Sequence, residues 1–173
     1  KKIISHSRAL SVHPEFNLLA GIDHNLNATK KFSSVYKKPS YISLNAFLEK
    51  NNYKVDLVII AVVPHNQPKI IEEVINKINP KMLLLEKPPA IKIDEARRIK
   101  KLCESKPDLS ICVNYVRRYL PLVQKWNEII KSGKLGSFIY GNIIYGKGLL
   151  TNGSHFLNLA QFWLGKFEYM KTI

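Results

Sequence analysis

Apolar positions change their period several times along the chain, and each change marks an element. Ile3, Ile4, Ser7, Leu10 and Ser11 form a short helical pattern stopped by Pro14. "FNLLAGID" reads as a buried strand ending at Asp23, and "YISLNAFLEKN" as a helix. "DLVIIAVVP" is a continuous β-branched run closed by proline, the pattern of a strand covered on both faces. "PKIIEEVINKIN" places Ile70, Ile71, Val74, Ile75 and Ile78 at helical spacing. "KMLLLEKP" is the next strand and "DEARRIKKLCE" the next helix, with Asp94 and Glu95 in the first turn, where the helix dipole favours acids. "LSICVNY" is a further apolar strand.

Near-continuous apolar strands alternating with amphipathic helices predict an α/β fold with a parallel, doubly wound sheet. In such a sheet ligands sit outside the carboxyl ends of the strands. Asp23, Pro64 with His65, Glu86 with Lys87, and Asn114 fall at successive strand ends, so the pattern predicts that they line one edge of one sheet as a cleft. After Tyr115 the pattern changes. "LPLVQKWNEIIKSGKLGSF" predicts a helix stopped at Gly133, and "FIYGNIIYGKG" a longer strand of antiparallel character. "GSHFLNLAQFWLG" predicts an amphipathic helix with Phe156, Leu159, Ala160, Trp163 and Leu164 on one side and Gly165 at its end. Residues 1–115 are therefore read as one domain and 116–173 as the beginning of a second.

Composition narrows the function classes. The 173 residues are 46% hydrophobic, enough for a real core. Lys and Arg number 27 against 13 Asp and Glu, a net charge of +14. A basic nucleic-acid-binding protein is one reading of that balance. The basic residues are scattered, however, with no zinc-ligand spacing or RNA-recognition signature, and solvated helix faces account for them better. Two cysteines, Cys103 and Cys112, make neither a disulfide framework nor a metal site, and a reducing cytoplasm is the expected location. The longest apolar run, Val55 to Pro64, contains Asp56 and is too short to span a bilayer, and no signal peptide is read at the start.

Four stretches carry a resemblance: "NLLAGID", "DLVIIAVVPHNQPKIIEEVI", "LLLEKPPA", and "VNYVRRYLPLV" followed by "GKLGSFIYG" and "GLLTNGSHFLNLAQFWLG". E-K-P followed by N-Y-x-R-R-Y-x-P and N-G-S-H resembles the Gfo/Idh/MocA oxidoreductases, in an N-G-S-H branch. The resemblance implies an NAD(P)-binding Rossmann domain over 1–115 and the start of an α/β domain with an open sheet over 116–173. It implies oxidation or reduction at a hydroxyl or keto carbon of a sugar, cyclitol or sugar nucleotide, with NAD as cofactor and NADP as the alternative. A small-molecule, sugar-type substrate, no nucleic-acid or membrane partner, and a homo-oligomer for the full-length protein are expected.

The resemblance also implies roles for single residues. Lys87, of E-K-P, contacts the reacting hydroxyl, and His155, of N-G-S-H, faces the substrate as general acid or base; both are catalytic candidates. Glu86 meets the nicotinamide-side ribose, while Pro64, His65, Lys87 and Asn114 lie along the cofactor. Asp23 accepts from the adenosine ribose hydroxyls. Arg117, Arg118, Thr151 and Asn152 are candidates for substrate contact, with one arginine packing structurally and the other reaching the substrate. No metal ligand is expected. Thr151 and Asn158 stand where much of the family has acids, and Pro68 stands where a histidine is usual. Thr151 can hydrogen-bond an imidazole without stabilising its cation, which motivates an alternative reading as a non-catalytic nucleotide or sugar binder.

A dinucleotide-binding fold opens with strand, G-x-G-x-x-G and helix. No G-x-G-x-x-G occurs here. The chain is therefore expected to be an internal piece of a longer enzyme, and alone to bind NAD weakly and not turn over.

Overall fold

The computed structural model describes residues 5–168, so Ile3 and Ile4 of the first helical pattern, and 169–173, lie outside the described residues. The chain forms two compact units, Lys1–Lys54 and Val55–Ile173.

In the first unit, helix α1 (His6–Val12) starts at Ser5, whose side chain accepts from the Arg8 N–H. Strand β1 (Gly21–Ile22) pairs in parallel with β2 (Ser40–Tyr41), Gly21 opposite Ser40. Helix α2 (Leu26–Tyr36) connects them. Asn25 caps it by accepting from the Asn27 and Ala28 N–H groups, and Lys37 ends it in the left-handed region at φ 54°. Helix α3 (Leu44–Lys50) is capped by Ser43, which accepts from the Ala46 N–H. Leu18, Thr29 and Phe47 are buried, and the Tyr41 and Phe47 rings meet edge to face.

Three expectations change in this unit. "FNLLAGID" forms ladder only at Gly21 and Ile22, because β2 offers just two residues to pair with. Tyr41 belongs to a strand, so the helix read from it begins at Leu44. The periodicity predicts no element over helix α2; it is largely polar, its buried residue is Thr29, and its apolar Leu26 and Val35 are exposed on different sides.

Gly21 is a steric requirement. A Cβ there would lie 2.8 Å from the Phe32 ring, inside any allowed contact. Gly21→Ala is expected to destabilise the protein by about 1–3 kcal/mol, the usual cost of overpacking. A thermal or denaturant melt checks this, and an unchanged midpoint would mean that Phe32 moves aside freely.

The second unit holds a three-stranded parallel sheet in the order β3 (Leu57–Ile60), β4 (Met82–Leu85), β5 (Ser110–Val113). Helices α4 (Gln67–Lys77) and α5 (Ile93–Glu104) make the crossovers and pack on each other. Ile60, Ile71, Val74, Ile75, Leu83, Leu85 and Ile99 form the core, with Ile71, Ile75 and Leu83 fully inaccessible. Leu83 sits on the central strand, which explains its burial on both sides.

Beyond β5, a 3₁₀ turn (Val116–Tyr119) leads into α6 (Pro121–Lys131), which Gly133 terminates at φ +73°. A π turn (Leu149–Gly153) runs into α7 (Ser154–Leu164), closed by Gly165 at φ +95°. Helices α6 and α7 pack together, and the Trp163 indole N–H donates to the Val123 carbonyl. The predicted strand over "FIYGNIIYGKG" is absent. No described residue pairs with it, Ile139 and Ile144 are each 93% exposed, and an unpaired extended segment gains no ladder hydrogen bonds. Leu164, expected on the packed face of α7, is exposed.

Candidate active site

The ends of β4 and β5 and the start of α7 converge within the second unit. Pro88 and Pro89 lack the N–H needed to continue β4, so the chain leaves the sheet at Glu86 and Lys87. The Lys87–Pro88 peptide bond is cis. The Glu86 N–H still donates to the Ile60 carbonyl at 2.9 Å, and the Asn114 N–H to the Leu85 carbonyl at 2.8 Å. Both residues thus stay in strand register at the rim. The Asn114 amide donates to Glu86 Oε1 at 2.7 Å, holding the carboxylate in place.

Lys87 Nζ donates to the Thr151 backbone carbonyl at 2.5 Å, which ties E-K-P to the π turn before α7. The Thr151 hydroxyl donates to the Lys147 carbonyl, so it does not reach the imidazole as the sequence reading allowed. Arg117 donates to Asn152 Oδ1 at 3.0 Å, with its guanidinium carbon 5.0 Å above the Phe156 ring.

His155 is the second residue of α7, and the Tyr115 ring meets its imidazole edge to face at 5.8 Å. Its Nδ1 is shielded from solvent and has no hydrogen-bond partner among the described residues. Burial holds its pKa below the ordinary 6.5, and the charges of Lys87 and Arg117 lower it further, while Glu86 opposes them. The imidazole therefore stays neutral, with a lone pair able to accept a proton, at pH values where an exposed histidine is already protonated.

Neutralising Arg117 should accordingly raise the His155 pKa. Arg117→Gln, followed by imidazole NMR against pH, checks the sign, and an unchanged midpoint would remove Arg117 from the imidazole's surroundings. The same depression has a stability consequence. As pH falls below about 6.5 the unfolded chain takes up the proton first, so folded-state stability declines through that window.

Of the sequence-predicted residues, Glu86, Lys87, Asn114, Arg117, Thr151, Asn152 and His155 come together. Arg118 does not join them: its guanidinium stacks 4.7 Å over Phe162, and its carbonyl accepts from Gln124. Of the two arginines, Arg118 packs and Arg117 reaches the site. The Pro64 carbonyl accepts from the Gln67 N–H, and His65 is exposed on the turn into α4. Asp23 belongs to the other unit, at the end of β1, where Oδ1 accepts from the Asn25 N–H at 2.9 Å. The expected single sheet edge is thus corrected. Three strand ends belong to one sheet, and that of Asp23 to another.

Two residues escaped the sequence reading. Gln67 is fully buried, and its amide donates to the Pro88 carbonyl at 3.0 Å, fastening the E-K-P loop to the start of α4. Its signal was available: Gln67 lies four residues before Ile71, on the buried stripe, where a polar side chain must have a partner. Tyr115, which abuts His155, carried no such signal. Among the described residues no cluster of His, Cys, Asp and Glu could hold a metal ion, and no helix is long and apolar enough to cross a membrane.

The chemistry of this rim fits the nicotinamide end of a dinucleotide. A carboxylate and an ammonium group stand at the carboxyl end of a parallel strand, beside a neutral imidazole. No glycine-rich turn of the dinucleotide type occurs in the sequence to meet a pyrophosphate.

Comparisons with known proteins agree with this architecture. The family described as "Oxidoreductase family, NAD-binding Rossmann fold" (Gfo/Idh/MocA) matches residues 4–115. No curated protein matches the chain by sequence. Among solved structures, scyllo-inositol dehydrogenase from Lactobacillus casei, with bound NAD(H) and scyllo-inositol, superposes with a TM-score of 0.79 at 14% identity, over 92% of this chain and 52% of that one. An oxidoreductase from Agrobacterium radiobacter in complex with NAD+, L-tartaric acid and magnesium gives 0.77 at 19% identity, over 92% and 50%. The WlbA dehydrogenase from Bordetella pertussis, with NADH and UDP-GlcNAcA, gives 0.71 at 18%, over 87% and 51%. The chain spans about half the length of each of these structures, and at such identities they share its fold. With the family matched over most of its length, the chain belongs to the Gfo/Idh/MocA oxidoreductases of the NAD-binding Rossmann fold.

Proposed function

We propose that the protein carrying this chain is an NAD-dependent oxidoreductase acting on a hydroxyl or keto carbon of a sugar, cyclitol or sugar nucleotide. The observation that carries this reading is the convergence of Lys87, from the end of β4, with His155, from the start of α7, on one rim. When bound, the nicotinamide supplies the acceptor or donor of a hydride. The chain's own residues manage the proton. His155, kept neutral by burial and by neighbouring cations, takes the proton from the substrate hydroxyl. Lys87, oriented by the Thr151 carbonyl, donates a hydrogen bond to the same oxygen as negative charge develops on it. Glu86, steadied by Asn114, is placed to accept from the nicotinamide-side ribose, with Pro64 and His65 along the cofactor.

On this reading residues 1–115 form the nucleotide domain and 116–173 begin a second one, which contributes Arg117, Thr151, Asn152 and His155. A cytoplasmic homo-oligomer suits such an enzyme. Incubating the full-length protein with NAD and a panel of sugars, cyclitols and sugar nucleotides, and following NADH, tests the reading. Failure to reduce NAD with any of them, in protein shown to bind NAD, would overturn it. That outcome would favour a second reading, a non-catalytic nucleotide or sugar binder. Its supporting observation is that the Thr151 hydroxyl turns away to Lys147 and leaves the His155 Nδ1 unpartnered.

Cofactor choice has its own expectation. Asp23 follows β1 as an exposed carboxylate, with His24 and Asn25 after it and no arginine to meet a 2′-phosphate. NAD should be used more efficiently than NADP. Comparing kcat/KM for the two cofactors decides this, and a clear NADP preference would remove Asp23 from the adenosine ribose.

A further inference from the structure

We propose that the substrate of this site carries an oxyanion, a carboxylate or a phosphoryl group, and that Arg117 is the residue that recognises it. This rests on the reading of the Lys87–His155 rim as an oxidoreductase site.

The charge balance at the rim leads there. Several cations elsewhere in the described structure stand against carboxylates: Arg97 with Asp94, Arg98 with Glu72, Lys81 with Asp56, Lys100 with Glu104. At the rim the cations are held by neutral groups. Lys87 is bound by a backbone carbonyl, and Arg117 by the Asn152 amide and the face of Phe156. Neither has a carboxylate partner among the described residues. The one acid among these rim residues, Glu86, accepts from the neutral Asn114 amide, keeps its charge and offsets one of the two cations. Two half-buried cations beside a neutral imidazole leave a local excess of positive charge.

Such an arrangement is costly for an empty site and favourable for an anion. A partly desolvated guanidinium without a counter-charge loses hydration that a bound oxyanion restores, through two parallel N–H···O bonds. Asn152 and Phe156 fix the plane of the fork without neutralising it, so little side-chain freedom remains to be lost on binding. A neutral polyol would leave Arg117 without a counter-charge. A carboxylate or phosphate compensates it.

The test is binding of D-glucuronate, D-glucose 6-phosphate and D-glucose to the full-length protein with NADH, by calorimetry. At least one anionic sugar should bind ten-fold or more tightly than glucose, and the tighter of the two names the group, carboxylate or phosphoryl. Arg117→Gln should reduce the preference to less than three-fold, whereas Arg97→Gln, which removes a remote surface charge, should keep it. Arg117→Lys, which keeps the charge and loses the fork, should fall between. Equal binding of the three sugars, no binding of either anion, or a preference that Arg117→Gln leaves intact would each overturn the proposal. Its failure is separable from that of the oxidoreductase reading. NAD reduction with neutral sugars and no anion preference would sink only the former, while anion-selective binding without hydride transfer would sink only the latter.

Discussion

Lys87→Met in the full-length protein is expected to lower turnover by about 10²–10⁴-fold, the range for losing a positioned group that manages a proton. Methionine keeps most of the length and apolar stem of lysine but cannot donate to the Thr151 carbonyl or to a substrate oxygen. Two effects then combine. The developing alkoxide loses its donor, and the tie between the E-K-P loop and the π turn before α7 is broken. Cofactor binding should change little, since Glu86 remains held by Asn114. His155→Ala should cost turnover by a similar factor, about 10²–10⁴, because the neutral imidazole is the base. The double variant should lose much less than the product of the two, since residues acting on one proton are not additive. Steady-state kinetics with calorimetry of NAD binding check all three. Near-wild-type kcat in either single variant would mean that the residue does not touch the reacting oxygen.

Leu83→Ala carries the largest expected effect on stability. Leu83 is fully buried on the central strand of its sheet, between β3 and β5. Truncation removes apolar contact and leaves a cavity that strands hydrogen-bonded on both sides close poorly, costing about 2–5 kcal/mol. Against a total of roughly 5–15 kcal/mol for an ordinary domain, that is a large part of the stability. The melting temperature should fall by roughly 5–15 °C, at about 2–4 °C per kcal/mol for a chain of this size. A fall of less than about 2 °C would mean that the sheet collapses around the gap, against the usual behaviour of close-packed interiors. Ile71→Val, one methylene smaller on the fully buried face of α4, should cost only about 0.5–1.5 kcal/mol and calibrates the result.

The two units differ in how far their local sequence reveals their structure. From Val55 to Val113 the strands carry unbroken apolar runs and α4 and α5 carry apolar stripes at helical spacing, signals that can be read locally. Each of β3, β4 and β5 lies inside the run that predicted it. In the first unit the strands are two residues long and α2 is largely polar, so little burial is available to impose a period. The stretch "FIYGNIIYGKG" shows the opposite failure. Its composition favours a strand, but strand formation depends on a neighbour's hydrogen bonds, and no described residue supplies them.

The sequence by itself determined the parallel α/β framework of residues 55–113, the break after Leu85 imposed by Pro88 and Pro89, and the kinds of group at each strand end. Those features depend on local properties: apolar runs, missing N–H donors and helix caps act within a few residues. Only the tertiary structure decided that Lys87 meets Thr151 through a backbone carbonyl, that the Thr151 hydroxyl faces away from His155, and that Arg117 rather than Arg118 belongs to the site. Neighbouring arginines on a 3₁₀ turn point in different directions, and which one faces the imidazole depends on where α7 packs. A backbone carbonyl leaves no trace in residue identity at all, so the partner that orients Lys87 can be seen only once the chain has folded.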